Sequence, residues 1–195
     1  VIGFRGDFAE AEMALKRLLC HVCCAQCYLG ALPVLGREAE QVEGFFYNPN
    51  IMPLLEFRRR LKGVETAAEQ LKVPVHFERG YGMEEFLRRV AGLEAAGRHR
   101  MCMVMRLKKA AEYAREHGFD AFTTSLLVSK HQLHEEVREA GEEVAKDLGV
   151  PFLYVDMRGQ AEAGHAEAKR RHLYLQQYCG CVYSEYERYK DAKFI

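Results

Sequence analysis

The stretch that most constrains this chain is residues 18 to 27, Leu-Leu-Cys-His-Val-Cys-Cys-Ala-Gln-Cys. Leu18 to Val22 is a short apolar run that reads as a buried strand. Cys23, Cys24 and Cys27 fall where such a strand turns into a helix. Loops at the carboxyl ends of parallel strands collect ligands and substrates. Thiolates are the soft ligands of zinc, copper(I) and iron–sulfur clusters. The first expectation is therefore a metal site at the mouth of an α/β sheet, with its remaining ligands supplied from elsewhere in the chain.

The other cysteines fit that expectation. The chain has 7 Cys; an odd, crowded set argues against a disulfide framework and for metal binding or catalysis in a reducing compartment. Cys20 alternates with His21 along the strand and is expected to face the core. Cys179-Gly180-Cys181 is a second dense pair, with a glycine that lets the backbone wrap a ligand closely. Cys102 is expected at a helix start, where the dipole favours its thiolate. His99 lies three residues earlier, the spacing at which a second thiol commonly stands. His21 reads as packed or orienting, and the remaining histidines follow no metal-ligand spacing.

Strand and helix patterns alternate along the chain, which means a parallel sheet covered by helices on both faces. Residues 1 to 6 are expected to form an arm, and Asp7 to cap a helix running to about Arg17. Five strands are expected: Leu18–Val22, Val42–Tyr47, Val73–Phe77, Ala121–Thr124 and Pro151–Val155. A helix is expected from about Ala25 to Leu35, interrupted or ended near Pro33; Gly97 to Met101 reads as a loop, and the chain ends in a helical segment. We expect one Rossmann-like α/β domain over residues 1–195, with strand order 3-2-1-4-5. At its switch point the Cys23-Cys24 loop lies beside Thr123-Thr124-Ser125.

Charge excludes little. Lys+Arg and Asp+Glu are both 28 in 195 residues, so any nucleic-acid footprint must be local. Basic runs occur at Arg58-Arg59-Arg60, Arg98-His99-Arg100, Arg106-Leu107-Lys108-Lys109 and Lys169-Arg170-Arg171. Such runs read first as solvated helix faces, but they interleave with Tyr47, Tyr174 and Tyr178 as phosphate-contacting patches do. No apolar run approaches the roughly 20 residues of a membrane span, and no leader pattern is seen. The expected location is the cytoplasm.

Five motifs in order carry a family resemblance: His-Val-Cys-Cys-Ala-x-Cys (21–27), Gly-Phe-Phe-Tyr-Asn-Pro-Asn-Ile-x-Pro (44–53), Cys-x-x-x-Arg-Leu (102–107), Phe-Thr-Thr-x-Leu-x-x-Ser (122–129) and Tyr-Cys-Gly-Cys-x-x-Ser (178–184). Together they resemble the cobalamin-independent epoxyqueuosine reductases of the QueH type. The resemblance implies an adenine nucleotide α-hydrolase-like fold, with Cys23-Cys24 in the place of a phosphate loop. It implies reduction of the epoxide of epoxyqueuosine to queuosine in tRNA with a GUN anticodon. It also implies a [4Fe–4S] cluster with a neighbouring mononuclear metal, expected to be iron. An external electron donor is needed.

On this reading Cys23, Cys24, Cys27, Cys102, Cys179 and Cys181 are metal ligands, with His99 a further candidate, and Cys23 and Cys24 are central to catalysis. Thr123, Thr124, Ser125 and Ser129 are candidate substrate contacts. Tyr47 and Asn48 are expected to border the base pocket, since unstacked RNA bases are held by aromatic stacking. The chain departs from the family at His99, where Cys is usual, at Met52, where His is usual, and at Lys130-His131-Gln132. It also departs after Arg158.

Two other readings compete. One is a zinc-bearing tRNA-binding or thiolation-related protein of the same fold, without redox chemistry. The other is a metal-free thiol redox sensor. A brown protein absorbing broadly near ~400 nm after anaerobic purification separates iron–sulfur from zinc.

Overall fold

A computed structural model describes residues 15–192 of the chain. Its centre is a parallel four-stranded sheet in the order β3-β2-β1-β4, built from β1 (Leu15–His21), β2 (Ala39–Phe46), β3 (Val75–Phe77) and β4 (Ala121–Thr124). Helix α1 (Ala25–Glu38) joins β1 to β2, and α2 (Leu54–Leu71) joins β2 to β3. Between β3 and β4 lie α3 (Met83–Val90) and the long α4 (Ala95–Glu116). After β4 a 3-10 turn (Ser125–Val128) leads to α5 (His134–Leu148), α6 (Ala161–Arg170) and α7 (Val182–Tyr189).

β1 is central because it carries no polar side chain that must reach water past Arg17. Leu18, Leu19 and Cys20 are fully buried between the helical layers, as the sequence led us to expect for Cys20. Its ladder pairs His21 with Phe45 on one side and with Thr124 on the other. Both neighbours therefore end level with the Cys23-Cys24 loop. The switch-point arrangement holds: the ends of β1 and β4 stand side by side over the sheet's carboxyl edge.

Four expectations are corrected. Pro151–Val155 is not a fifth strand but touches β4 through one bridge, Phe122 to Phe152. Pro151 has no N–H to give, and the Leu153 carbonyl is taken by the Thr123 hydroxyl at 2.8 Å rather than by a backbone amide. The ladder stops there. Leu15 to Arg17 belong to β1 rather than to a helix: Leu15 pairs with Ala39, and the Asp120 carboxylate receives the N–H of Lys16 and of Arg17 at 2.9 and 2.8 Å. The rest of that expected helix lies outside the described residues. Pro33 neither ends nor interrupts α1, whose buried face of Tyr28, Leu29, Ala31 and Leu35 carries the helix past it. Gly97–Met101 is helical, because Ala95 and Ala96, strong helix formers, start α4 two residues earlier. Cys102 is thus deep in α4, and the helix-start argument for its thiolate fails.

Candidate metal centre

The first group of thiols is fixed by the end of β1. After Val22 donates its N–H to the Phe45 carbonyl (2.8 Å), the chain leaves the sheet, and Cys24 takes the N-cap position of α1 in an extended conformation. Cys27 follows on the first turn. The three sulfurs lie within 4.8 Å of one another, all buried, with Cys23 and Cys24 at 3.7 Å. Ser125, from the adjacent β4 end, accepts the Cys23 N–H (3.1 Å) and donates its hydroxyl to the Cys23 sulfur (3.4 Å). Gln176 donates its side-chain amide to the Cys24 sulfur at 3.0 Å.

These contacts sort the thiols electrostatically. Hydrogen bonds from the Cys24 and Cys27 thiols, with that from Ser125, overcome burial and hold the Cys23 thiol well below its usual range. Burial, then the Cys23 neighbour, pushes Cys24 up, and the same hydrogen-bonded neighbours push Cys27 up. The group is suited to one thiolate stabilised by two thiols. A thiophilic metal would displace the two remaining protons.

The second group is brought over the first by α4 and the C-terminal loop. Cys102, Cys179 and Cys181 line a cavity of about 760 Å³ together with Cys27, His99, Arg106, Ser129, Gln132 and Gln176. Burial pushes the Cys102 thiol up to about 12, against the lowering effect of Arg106 beside it. Gln132 donates its amide to the Cys179 sulfur at 3.4 Å. Cys181 caps α7, its sulfur accepting the Ser184 N–H at 3.4 Å.

The Cys179-Gly180-Cys181 loop is held from beneath. Arg60 of α2 donates to the carbonyls of Cys179 and Tyr178, both at 2.8 Å, and is paired to Glu56 at 2.6 Å. Tyr174 completes Glu56 with a hydroxyl at 2.5 Å. Met52 gives its N–H to Gly180 and receives the Tyr178 hydroxyl. Gly180 sits at φ 139, and a Cβ there would come within 3.1 Å of Ile51 and 3.2 Å of the Arg60 guanidinium. Only glycine fits that seat.

The structure distributes the other candidate residues unevenly. His99 is exposed on α4, one turn before Cys102 on the same cavity wall. Ser129 lines the cavity, and its hydroxyl accepts the His131 N–H. Thr124 is engaged inside the protein, with His21 Nδ1 at 2.9 Å and the Leu126 N–H at 3.1 Å. Thr123 faces Leu153. Asn48 gives its amide to the Val22 carbonyl (2.8 Å) and so braces the Cys loop. Tyr47 gives its carbonyl to His21 Nε2 (3.1 Å), and its ring lies outside the cavity lining.

Sequence reasoning missed four contributors. Arg60 and Arg106, read within solvated basic runs, are both 2% exposed. Arg106 had a signal, standing one turn after Cys102 in the 102–107 motif. Gln132 sat beside a departure from the family pattern. Gln176 had no sequence signal at all.

As a donor set, three close buried thiols, three more across one cavity, and amide donors on two of the sulfurs fit a thiophilic metal or cluster. The family model described as "Epoxyqueuosine reductase QueH" matches residues 18–187. A protein of Dehalococcoides mccartyi with that name is 38% identical over 173 residues, covering 89% of this chain and 94% of its own. One of Thermotoga maritima is 31% identical over 180 residues, covering 88% and 91%. Among solved structures, the U34-tRNA thiolase NcsA from Methanococcus maripaludis with its [4Fe-4S] cluster aligns with a TM-score of 0.56 at 12% identity. That alignment covers 89% of this chain and 64% of that one. Likeness at that identity shows a shared fold.

Proposed function

The chain belongs to the epoxyqueuosine reductase QueH family, and we propose that its thiol-walled cavity is where the epoxide of epoxyqueuosine in tRNA is reduced to the alkene of queuosine. It is an oxidoreductase: the epoxide oxygen leaves as water, which takes two electrons and two protons. An external donor supplies the electrons. The observation that carries the reading is the meeting of two cysteine groups, far apart in sequence, on one cavity.

We assign a [4Fe–4S] cluster and a second metal, iron, to Cys23, Cys24, Cys27, Cys102, Cys179 and Cys181, with His99 as a further ligand. Six thiols exceed the four that one cluster needs. Bound there, the cluster would supply single electrons and the second metal would supply Lewis acidity toward the epoxide oxygen. Cys23 and Cys24 stand at the catalytic centre. The protein's own part is to hold these sulfurs: Ser125 and Gln176 orient Cys23 and Cys24, Gln132 orients Cys179, and Arg60 fixes the loop that carries Cys179. The NcsA fold, which carries a [4Fe-4S] cluster in its own solved structure, supports the cluster.

The cavity is large enough for a nucleobase with its appended ring. Ser129 offers a hydroxyl on its wall. Ser125 and Asn48 act through the cysteine loop they brace, Thr124 through His21, and Thr123 only through the Leu153 segment. Tyr47 is a stacking surface only for parts of the RNA outside the cavity. Arg98, Lys130, His131, His165 and Arg188 also border the cavity, and they suit the phosphates that flank a single unstacked nucleotide. No helix of the described residues is long and apolar enough to cross a membrane, and we place the protein in the cytoplasm with its tRNA. A zinc protein without redox chemistry is not favoured, since relatives alignable over about nine-tenths of their length carry the reductase name.

Anaerobic reconstitution with iron and sulfide tests the assignment. Cys24→Ala and Cys179→Ala are each expected to lose iron and epoxyqueuosine reduction together. Full iron content and activity in both variants would overturn it.

A further inference from the structure

Arg106 is a buried cation with no carboxylate partner among the described residues. It is 2% exposed, and its Nε donates to the Cys102 carbonyl at 3.0 Å, a neutral partner. Among the described residues it forms no ion pair. Glu136, which shares the cavity wall, makes none with it. Arg60, equally buried, shows what the fold does elsewhere: its guanidinium is paired to Glu56 at 2.6 Å. A guanidinium removed from water with no counter-charge is strongly disfavoured. Arg106 lines one cavity with Cys102, Cys179 and Cys181, and with Cys27 of the first group. Those thiols come from both cysteine groups.

We infer that Arg106 is the fixed counter-ion of the metal–thiolate assembly, placed by α4 on the cavity wall it shares with thiols of both cysteine groups. This rests on the reading that the thiols hold metal, but not on which metal. Thiolate-ligated metal centres carry net negative charge, and protonated thiols carry none. A cation held beside them therefore favours the loaded, deprotonated state over the metal-free one. In a redox cluster the reduced form is the more negative, so the same cation raises the reduction potential. A lysine delivers the charge but not the planar guanidinium; methionine and glutamine deliver neither charge.

The test uses the full chain and its Arg106→Lys, Arg106→Gln and Arg106→Met variants. Cobalt(II) serves as the first probe, followed by its sulfur-to-metal charge-transfer absorption. Both neutral variants are expected to bind cobalt at least tenfold more weakly than the parent, and Arg106→Lys within threefold. After anaerobic cluster reconstitution, redox titration is expected to show at least a tenfold shift in the reduction equilibrium, about 59 mV to lower potential, in the neutral variants alone. Equal cobalt affinity and equal potential in all four proteins would overturn the inference. So would a loss confined to tRNA binding, which would mark Arg106 as a phosphate contact.

If neither neutral variant binds cobalt or cluster, melting of the metal-free proteins decides. Removing an uncompensated cation is expected to leave the melting temperature of Arg106→Met equal to or above the parent's, and a clear fall would make Arg106 a structural strut and overturn the inference. A parent that binds cobalt tightly yet assembles no iron–sulfur cluster fails the proposed cofactor while leaving the counter-ion standing.

Discussion

His99 tests the ligand set residue by residue. It stands at the position where the family resemblance calls for a cysteine, one helical turn before Cys102, and α4 turns both toward the same cavity. A neutral imidazole in place of a thiolate removes one negative charge from an iron centre and raises its potential, as in Rieske centres. We expect His99→Cys to lower the potential of the reconstituted protein and His99→Ala to make its iron labile. Redox titration beside iron analysis reads both, and unchanged values in the two variants would strike His99 from the ligands. Its place beside Cys102 on one cavity was legible in the sequence because histidine and cysteine at that spacing stand out wherever they fall. Gln176 was not. A neutral amide acquires a role only when the fold sets it 3.0 Å from a particular sulfur, and no local pattern announces a contact across 152 residues.

At the level of elements, α2 is the strut of the site. Its Arg60 and Glu56 are an i, i+4 pair whose side chains are 1% and 5% exposed, and the same guanidinium carries two carbonyls of the Cys179 loop. Removing one member leaves the other as an uncompensated buried charge, a loss of roughly 3–5 kcal/mol in comparable pairs. Arg60→Met is therefore expected to lower unfolding stability by about 3 kcal/mol and to shed iron even where the protein stays folded. Urea unfolding with iron analysis on the folded fraction checks it; a stable, fully loaded variant would contradict the strut. The sequence showed α2 and its extent but misread Arg60 as solvated, because a triple arginine run gives no hint of which residue turns inward. The order of the four strands was likewise legible from the alternation of strands and helices. The supposed fifth was not, since Pro151–Val155 has strand composition yet loses its ladder to the side chain of Thr123. The start of α4 was misplaced by the weight given to Gly97, which two preceding alanines outweigh.

Over the whole molecule, zero formal net charge limits how the protein can hold RNA. A basic protein would bind any tRNA by its overall field; this one must use local groups of cations, of which those at the cavity share its wall with the thiols. Of these, Lys130 is paired to Glu162 at 2.8 Å and Arg98 lies 4.1 Å from the Tyr183 ring centroid with one donor on the Leu93 carbonyl. Arg188 is in no ion pair among the described residues. Each phosphate neutralised on a single-stranded segment contributes a slope of about −0.7 in log affinity against log salt. A small set of contacts thus gives a shallow slope, between about −1 and −3, rather than the steep one of a basic binder. Fluorescence binding of tRNA with a GUN anticodon carrying epoxyqueuosine, measured as salt is raised, is expected to fall in that range. Arg188→Gln is expected to make the slope shallower by about 0.7 without altering iron content, since it touches no sulfur. Binding that ignores salt, or a slope unchanged in Arg188→Gln, would mean that the RNA is held elsewhere and that the cavity mouth is not its docking face.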